Sequence, residues 1–305
     1  MLGVIAKAKP TDDLMPVTGS ATGLLGYFGP GDIPGMSWAG WWGFRAFTRT
    51  AIGRPVCNLR RSSDGATQTF SSVLPDGGLD ATAINTFKGA GTLSVVTIFD
   101  QSGNNRDMLA LSQSTEGRFT TSAPNGRYLL DNLTAPNSGM QYRTGGTVNW
   151  GSVTPRSFYS TYRNSNDVYQ SVLLTDWNGG DGMYTNPNTA FHSDDPTTHD
   201  MVGIPGYAVR ADVSAPNGSF HCAVAMHCNS NPGANAIISA DTTNNLLLTD
   251  TSNEGEGDLF ISTWGGNGFG ALDGYGAETG WAQPINWHRG QVAAILSNSR
   301  GFWGF

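Results

Sequence analysis

Apolar and β-branched residues occur along this chain in short runs separated by Gly, Pro, Asn and Asp, and only twice at helical spacing. Runs of this length between turn signals predict strands. They are Leu93 to Phe99, Ser157 to Tyr162, Ser171 to Thr175, Gly206 to Val213, His221 to Cys228, Ala236 to Ala240, Leu246 to Thr249 and Asp258 to Trp264. Leu93 to Phe99 is apolar enough to predict a strand buried on both faces. A short helix is expected from Asp80 to Phe87, because Asp80 can cap the free amides and Leu79 can staple onto Ile84. A second is expected over Arg289 to Ser299, with Val292, Ile295 and Leu296 on one face and Gly301 to stop it.

Composition agrees with many short strands. The 305 residues include 41 Gly and 15 Pro, and only 13% are charged, about half the share usual in soluble domains. A chain of this length can bury a full core as one all-β domain. The net charge of -7 argues against nucleic acid as a main partner, since phosphate binding needs a basic field. No segment reaches transmembrane length, so no membrane insertion is expected, and Met1 to Lys7 is too short an apolar run for a signal peptide. Synthesis and folding in a cytoplasm are the expectation.

The cysteines do not form a disulfide framework. Cys222 and Cys228 fall on one predicted strand, where roughly 3.3 Å per residue puts them about 20 Å apart, too far for a bond. With Val224 and Met226 they form its apolar face, and His221 and His227 lie on the other. The run His192, Asp194, Asp195, His199, Asp200 matches no metal-ligand spacing, so neither metal nor cofactor is expected.

Residues 1–40 differ from the rest. Pro- and Gly-rich stretches carry the apolar islands Leu24-Leu25 and Tyr27-Phe28, the pattern of an arm that docks onto another subunit. A disordered tail is the competing reading. Domain limits of 1–40 for the arm and 41–305 for the sandwich follow.

Two polar turn motifs, Arg60 to Thr67 and Thr97 to Asn105, flank Gly77-Gly78-Leu79-Asp80 and the stretch from Gly89 to Leu93. In this order they resemble the start of the catalytic domain of fungal α-L-arabinofuranosidases B. They look equally like a lectin-type sandwich module of tailed-bacteriophage structural proteins. The similarity runs from about Gly43 to Arg106, about a fifth of the chain. The aromatic tail from Gly301 to Phe305 resembles the one that closes many concanavalin-like modules. The resemblance implies a two-sheet antiparallel jelly-roll sandwich with an extended N-terminal arm and one or two short helices.

Two loops are candidates for sugar binding. Asp176, Trp177, Asn178, Asp181 and Tyr184 combine carboxylates, an amide and aromatics, the mixture that stacks on a ring face and takes paired hydroxyls. A solvated Gly-rich turn has the same composition. Asp100, Gln101 and Asn104 sit at a strand end, where they either bind a ligand or satisfy loop amides.

Glycoside hydrolysis needs two carboxyl groups flanking the bond. The only glutamates are Glu116, Glu254, Glu256 and Glu278, and none sits in surroundings matching the catalytic motif of the arabinofuranosidases. The expectation is therefore a non-enzymatic virion protein, a decoration, fibre or tail component, with an arabinofuranosidase-type hydrolase as the alternative. Its expected partners are other virion proteins, further copies of itself and a cell-surface glycan.

Overall fold

A computed structural model describes residues 26–131, 142–145, 148–149, 156–164, 171–176, 182–185, 201–203, 210–212, 219–227, 235–240, 246–249, 258–259, 261–263, 274–282 and 287–305. Its strands and α-helices are numbered in chain order. The first are β1 (Gly40–Gly43), β2 (Pro55–Arg61), β3 (Thr67–Ser71), α1 (Ala81–Lys88), β4 (Leu93–Ile98), β5 (Met108–Ala110), β6 (Arg118–Thr120) and β7 (Leu129–Asp131). Next come β8 (Tyr142–Thr144), β9 (Val148–Asn149), β10 (Arg156–Asn164), β11 (Ser171–Asp176), β12 (Gly182–Thr185), β13 (Met201–Gly203) and β14 (Arg210–Asp212). The last are β15 (Phe220–His227), β16 (Asn235–Ala240), β17 (Leu246–Thr249), β18 (Asp258–Leu259), β19 (Ile261–Thr263), β20 (Gly274–Ala282) and α2 (Arg289–Trp303).

Every strand pairing described is antiparallel, and apart from the separate two-stranded pair β9–β18 the pairings separate into two sheets. One runs β3-β2-β4-β5-β8-β19-β11-β12-β13-β14. The other runs β20-β10-β15-β16-β17, with β1 and β7 sharing the opposite edge of β20 and β6 beyond β7. The pair Ser94 and Arg118 links the two sheets. Between them lies the main core, in which Leu59, Val95, Ile98 and Tyr142 of the first sheet meet Trp42, Leu130, Phe158 and Trp281 of the second. The protein is an all-β sandwich.

The second sheet is buried on both faces along β10 and β20. Tyr159, Cys222, Val224 and Ala282 turn away from the main core and pack under Val292, Ile295 and Leu296 of α2, with Ile33 and Trp287 alongside. Trp38 packs on the same face, and Gly280 lets its ring come this close to the sheet, because a Cβ there would meet that ring at 2.6 Å. Cys57 and Cys222 are both buried.

Several expectations are corrected. β4 buries Leu93, Val95 and Ile98 but leaves Ser94, Val96 and Thr97 half-exposed, because the outer face of its sheet carries no further layer there. A strand that is buried on both faces is β20, whose Gly-rich sequence lacks the apolar run that would announce it. His221 is buried, stacked obliquely on Tyr162, so β15 has no solvent face at that point. Helix α2 passes through Gly301 and ends at Gly304 in the left-handed conformation, φ 81°. Burial of Phe302 and Trp303 outweighs the roughly 1 kcal/mol that an interior glycine costs. Asp258 to Trp264, expected as one strand, supplies both β18 and β19.

The expected arm is part of the body from residue 26 onward. Tyr27 packs against the main core, donates its hydroxyl hydrogen bond to the Ala46 carbonyl and meets Phe302 edge-on at 6.3 Å. Pro30 and Ile33 are buried, and Gln291 of α2 donates to the Pro34 carbonyl at 3.3 Å. Phe28 is the exception, 47% exposed. Leu24 and Leu25 lie outside the described residues.

Candidate functional site

The turn after β4 was one candidate, and its side chains face inward to the chain's own backbone. Asp100 Oδ1 accepts from the Trp41 amide (3.2 Å), the Ser102 amide (2.9 Å) and the Ser102 hydroxyl (2.6 Å), while Oδ2 accepts from the Arg106 amide (3.0 Å). Gln101 is buried; it accepts from the Phe47 amide (3.1 Å) and donates to the carbonyls of Gly43 (3.2 Å) and Arg45 (2.9 Å). Asn104 is exposed and donates to the Trp38 carbonyl at 3.2 Å. The Gln101 amide completes the ladder by donating to Trp41 O (3.0 Å), so the turn covers the outer edge of β1. Of the two alternatives for these residues, the geometry is that of amide satisfaction.

A second polar cluster lies between the second sheet and α2. Arg45 and Glu278 form a bidentate pair, and Tyr159 and Ser299 both donate to Glu278 Oε1, the latter at 2.7 Å. Thr161 Oγ1 lies 2.7 Å from both the Tyr159 and Ser299 hydroxyls. The Arg45 guanidinium also sits over the Phe302 ring, 4.6 Å from its centroid. Burial alone would lower the Arg45 pKa, but the Glu278 charge, its hydrogen bond and the neighbouring Tyr27 and Tyr159 together outweigh it and hold the guanidinium ionised. Burial, and then the Glu278 charge, pushes the Tyr159 hydroxyl well above the ordinary tyrosine range. Sequence reasoning missed this cluster, since Arg45 and Glu278 are 233 residues apart and no local motif joins them.

These contacts bear on catalysis. Glu278 has no exposed side-chain surface and both its oxygens are engaged. Glu116 is likewise buried, accepting from Arg60 Nε at 3.0 and 3.2 Å and from the Ser94 hydroxyl. Neither carboxylate can approach a glycosidic bond without breaking an ion pair. Glu254 and Glu256 lie outside the described residues.

The other candidate loop belongs to a hairpin. β11 and β12 pair with Thr175 opposite Gly182, and Asp176 ends β11 opposite Ile261 of β19. Tyr184 is placed on β12, opposite Val172 and next to Gly203 of β13. Trp177, Asn178 and Asp181 occupy the connection and lie outside the described residues, as do His192, Asp194, Asp195, His199 and Asp200. Among the described residues no group of His, Cys, Asp and Glu is arranged to hold a metal ion.

With the sandwich and its polar groups in place, the chain was compared with known proteins. No protein-family model and no curated protein matches its sequence. Solved structures do. A GH54 α-L-arabinofuranosidase soaked with a cyclic sulfate inhibitor superposes with a TM-score of 0.68 at 17% identity, over 90% of this chain and 65% of that one. An arabinofuranosidase complexed with arabinofuranosyl-α-1,2-xylobiose gives a TM-score of 0.65 at 17% identity, with the same coverage. A glutamate-to-glutamine variant of a GH54 α-L-arabinofuranosidase soaked with 4-nitrophenyl α-L-arabinofuranoside gives 0.67 at 18%, again over 90% and 65%. The chain has the sandwich fold of these enzymes and spans 65% of their length.

Proposed function

We propose that this chain is a non-catalytic glycan-binding sandwich that serves as a structural protein of a virion, as a decoration, fibre or tail component. The observation that carries the non-catalytic reading is the sequestration of Glu278 and Glu116 in ion pairs with Arg45 and Arg60. The fold shared with arabinofuranosidases supports a sugar as ligand, since this scaffold accepts furanosides in those enzymes. The β11–β12 hairpin end supplies the residues for it: Trp177 or Tyr184 to stack on a ring, and Asp176, Asn178 and Asp181 for its hydroxyls. The virion setting is supported by the motif pair from Arg60 to Thr67 and Thr97 to Asn105. In this reading Leu24, Leu25 and the exposed Phe28 anchor the chain to other virion proteins after synthesis in the host cytoplasm.

Calorimetric titration with arabinofuranosyl oligosaccharides tests the glycan reading, with Trp177→Ala and Asp181→Ala expected to abolish binding. Incubation with 4-nitrophenyl α-L-arabinofuranoside tests the second reading, a hydrolase served by Glu254 or Glu256, and no turnover is expected. Electron microscopy of native material tests the setting, where particle-bound density is the expected result.

A further inference from the structure

The two sheets treat their outer edges differently. β1 is covered by the Asp100 turn, whose side chain and main chain take up the Trp41 amide and carbonyl. Among the described residues β3 pairs only with β2, and the chain returns beside it only past its end, where Ser72 bridges to Leu79. The Arg61 amide donates to the Ala66 carbonyl at 2.8 Å, which sets the alternation of the ladder and turns the main-chain N–H and C=O of Thr67 and Thr69 outward. Thr67, Gln68 and Thr69 are all exposed. Edges of this kind are ordinarily blunted by charge, proline or a covering segment. From Ala66 to Leu74 the chain has no charged residue and no proline, and Val73 is 52% exposed.

We propose that β3 is a homodimer interface, pairing antiparallel with β3 of a second copy about a two-fold axis at Gln68. In that register Thr67 faces Thr69 of the partner subunit and Thr69 faces Thr67 of the partner subunit, each pair exchanging two main-chain hydrogen bonds. Gln68 then faces its own counterpart across the axis. A second copy is favoured as occupant because the strand is self-complementary and electrically neutral. Two charges beside it are already compensated: Arg61 pairs with Asp64 at 2.6 Å, and Arg60 with Glu116 at 3.0 Å. The whole chain carries a net charge of -7, so two copies repel in general, and a neutral edge is where they can approach. The first sheet becomes continuous across both copies, with main-chain bonds supplying affinity as in strand addition. This inference uses neither the glycan site nor residues 1–25.

Light scattering and sedimentation on the full chain should show a dimer that dissociates on dilution. Thr69→Pro removes an outward N–H without touching the bonds to β2, and Thr69→Lys sets two like charges diagonally across the two-fold axis. Each should abolish the dimer while leaving circular dichroism and melting unchanged. Gln68→Cys in a Cys228→Ser background should cross-link to a covalent dimer on mild oxidation. A wild-type chain that stays monomeric at every concentration overturns the proposal. So does a dimer that survives in both Thr69 variants, or a Gln68→Cys chain that does not cross-link. Where Thr69→Pro fails to fold, Thr69→Lys and the cross-link decide.

Discussion

Arg45 and Glu278 meet as a bidentate ion pair from which water is excluded, with Nε to Oε2 at 2.6 Å and Nη2 to Oε1 at 2.7 Å. The pair joins the residue after Phe44, at the end of β1, to the centre of β20, and Ser299 and Phe302 bind α2 to the same two side chains. One ion pair thus holds an edge strand, a central strand and the C-terminal helix in register.

Removing one partner leaves the other charged in a dry site. Glu278→Gln should therefore destabilise the protein by about 3–5 kcal/mol, read as a lower urea midpoint. Replacing both, as Arg45→Met with Glu278→Leu, should recover most of that loss, because desolvation offsets much of the Coulomb attraction. A single variant with an unchanged midpoint would show that the pair contributes nothing.

Gln101 gives a second prediction. Gln101→Ala strands the Phe47 amide and the Gly43 and Arg45 carbonyls in the interior. A cost of at least about 1–3 kcal/mol is expected, since buried polar groups lose their partners. Glycan affinity should stay unchanged, so a variant that melts normally but loses sugar binding would return this residue to the binding site.

Local chemistry made part of this structure legible in the sequence. Asp80 caps α1 through the Thr82 and Ala83 amides as its position implied, and Gly65 and Gly103 adopt the positive φ that their turns require. β17 covers the expected residues, β11 and β16 extend the expected runs by one residue each, and β10 extends its run by three. Relations at long range were not legible. Burial of Glu278 on β20 depends on Arg45 arriving from the other end of the chain, and Tyr27 is an anchor for its own body because Phe302 and Gly77 wait for it. An apolar island in a Pro/Gly-rich segment says that a surface is needed, without saying whose. The candidate sugar residues Asp100 and Gln101 show the same ambiguity, as strand-end amides need the side chains a ligand would need.

Alkali provides a third test. Burial raises the pKa of Tyr27, Tyr142 and Tyr159, with neighbouring carboxylates adding to it. The folded state therefore holds these protons more tightly than the unfolded state, where tyrosine titrates near its ordinary value of 10.0. Below that pH their contribution to stability is constant; above it the unfolded chain ionises first, and stability falls as pH rises toward the folded values. Tyrosinate absorbance should show these three hydroxyls silent until a cooperative unfolding step. Their gradual ionisation in a chain that keeps its native dichroism would contradict the burial described.

The N-terminal segment supplies the last prediction, because two roles for it lead to opposite outcomes. Were residues 26–36 only a docking device, deleting residues 1–36 would leave melting unchanged. The packing says otherwise. That deletion removes the Tyr27 ring from the main core, Ile33 from beneath α2, and the Pro34 carbonyl that accepts from Gln291. Burying a side chain of this size contributes about 1.5–3 kcal/mol, so losing two of them should lower the melting temperature by many degrees. Deleting residues 1–25 alone keeps all of these contacts and should leave melting near that of the full chain. Thermal unfolding of both truncations decides the matter, and equal melting of the two would mean that the Tyr27 and Ile33 contacts carry no stability.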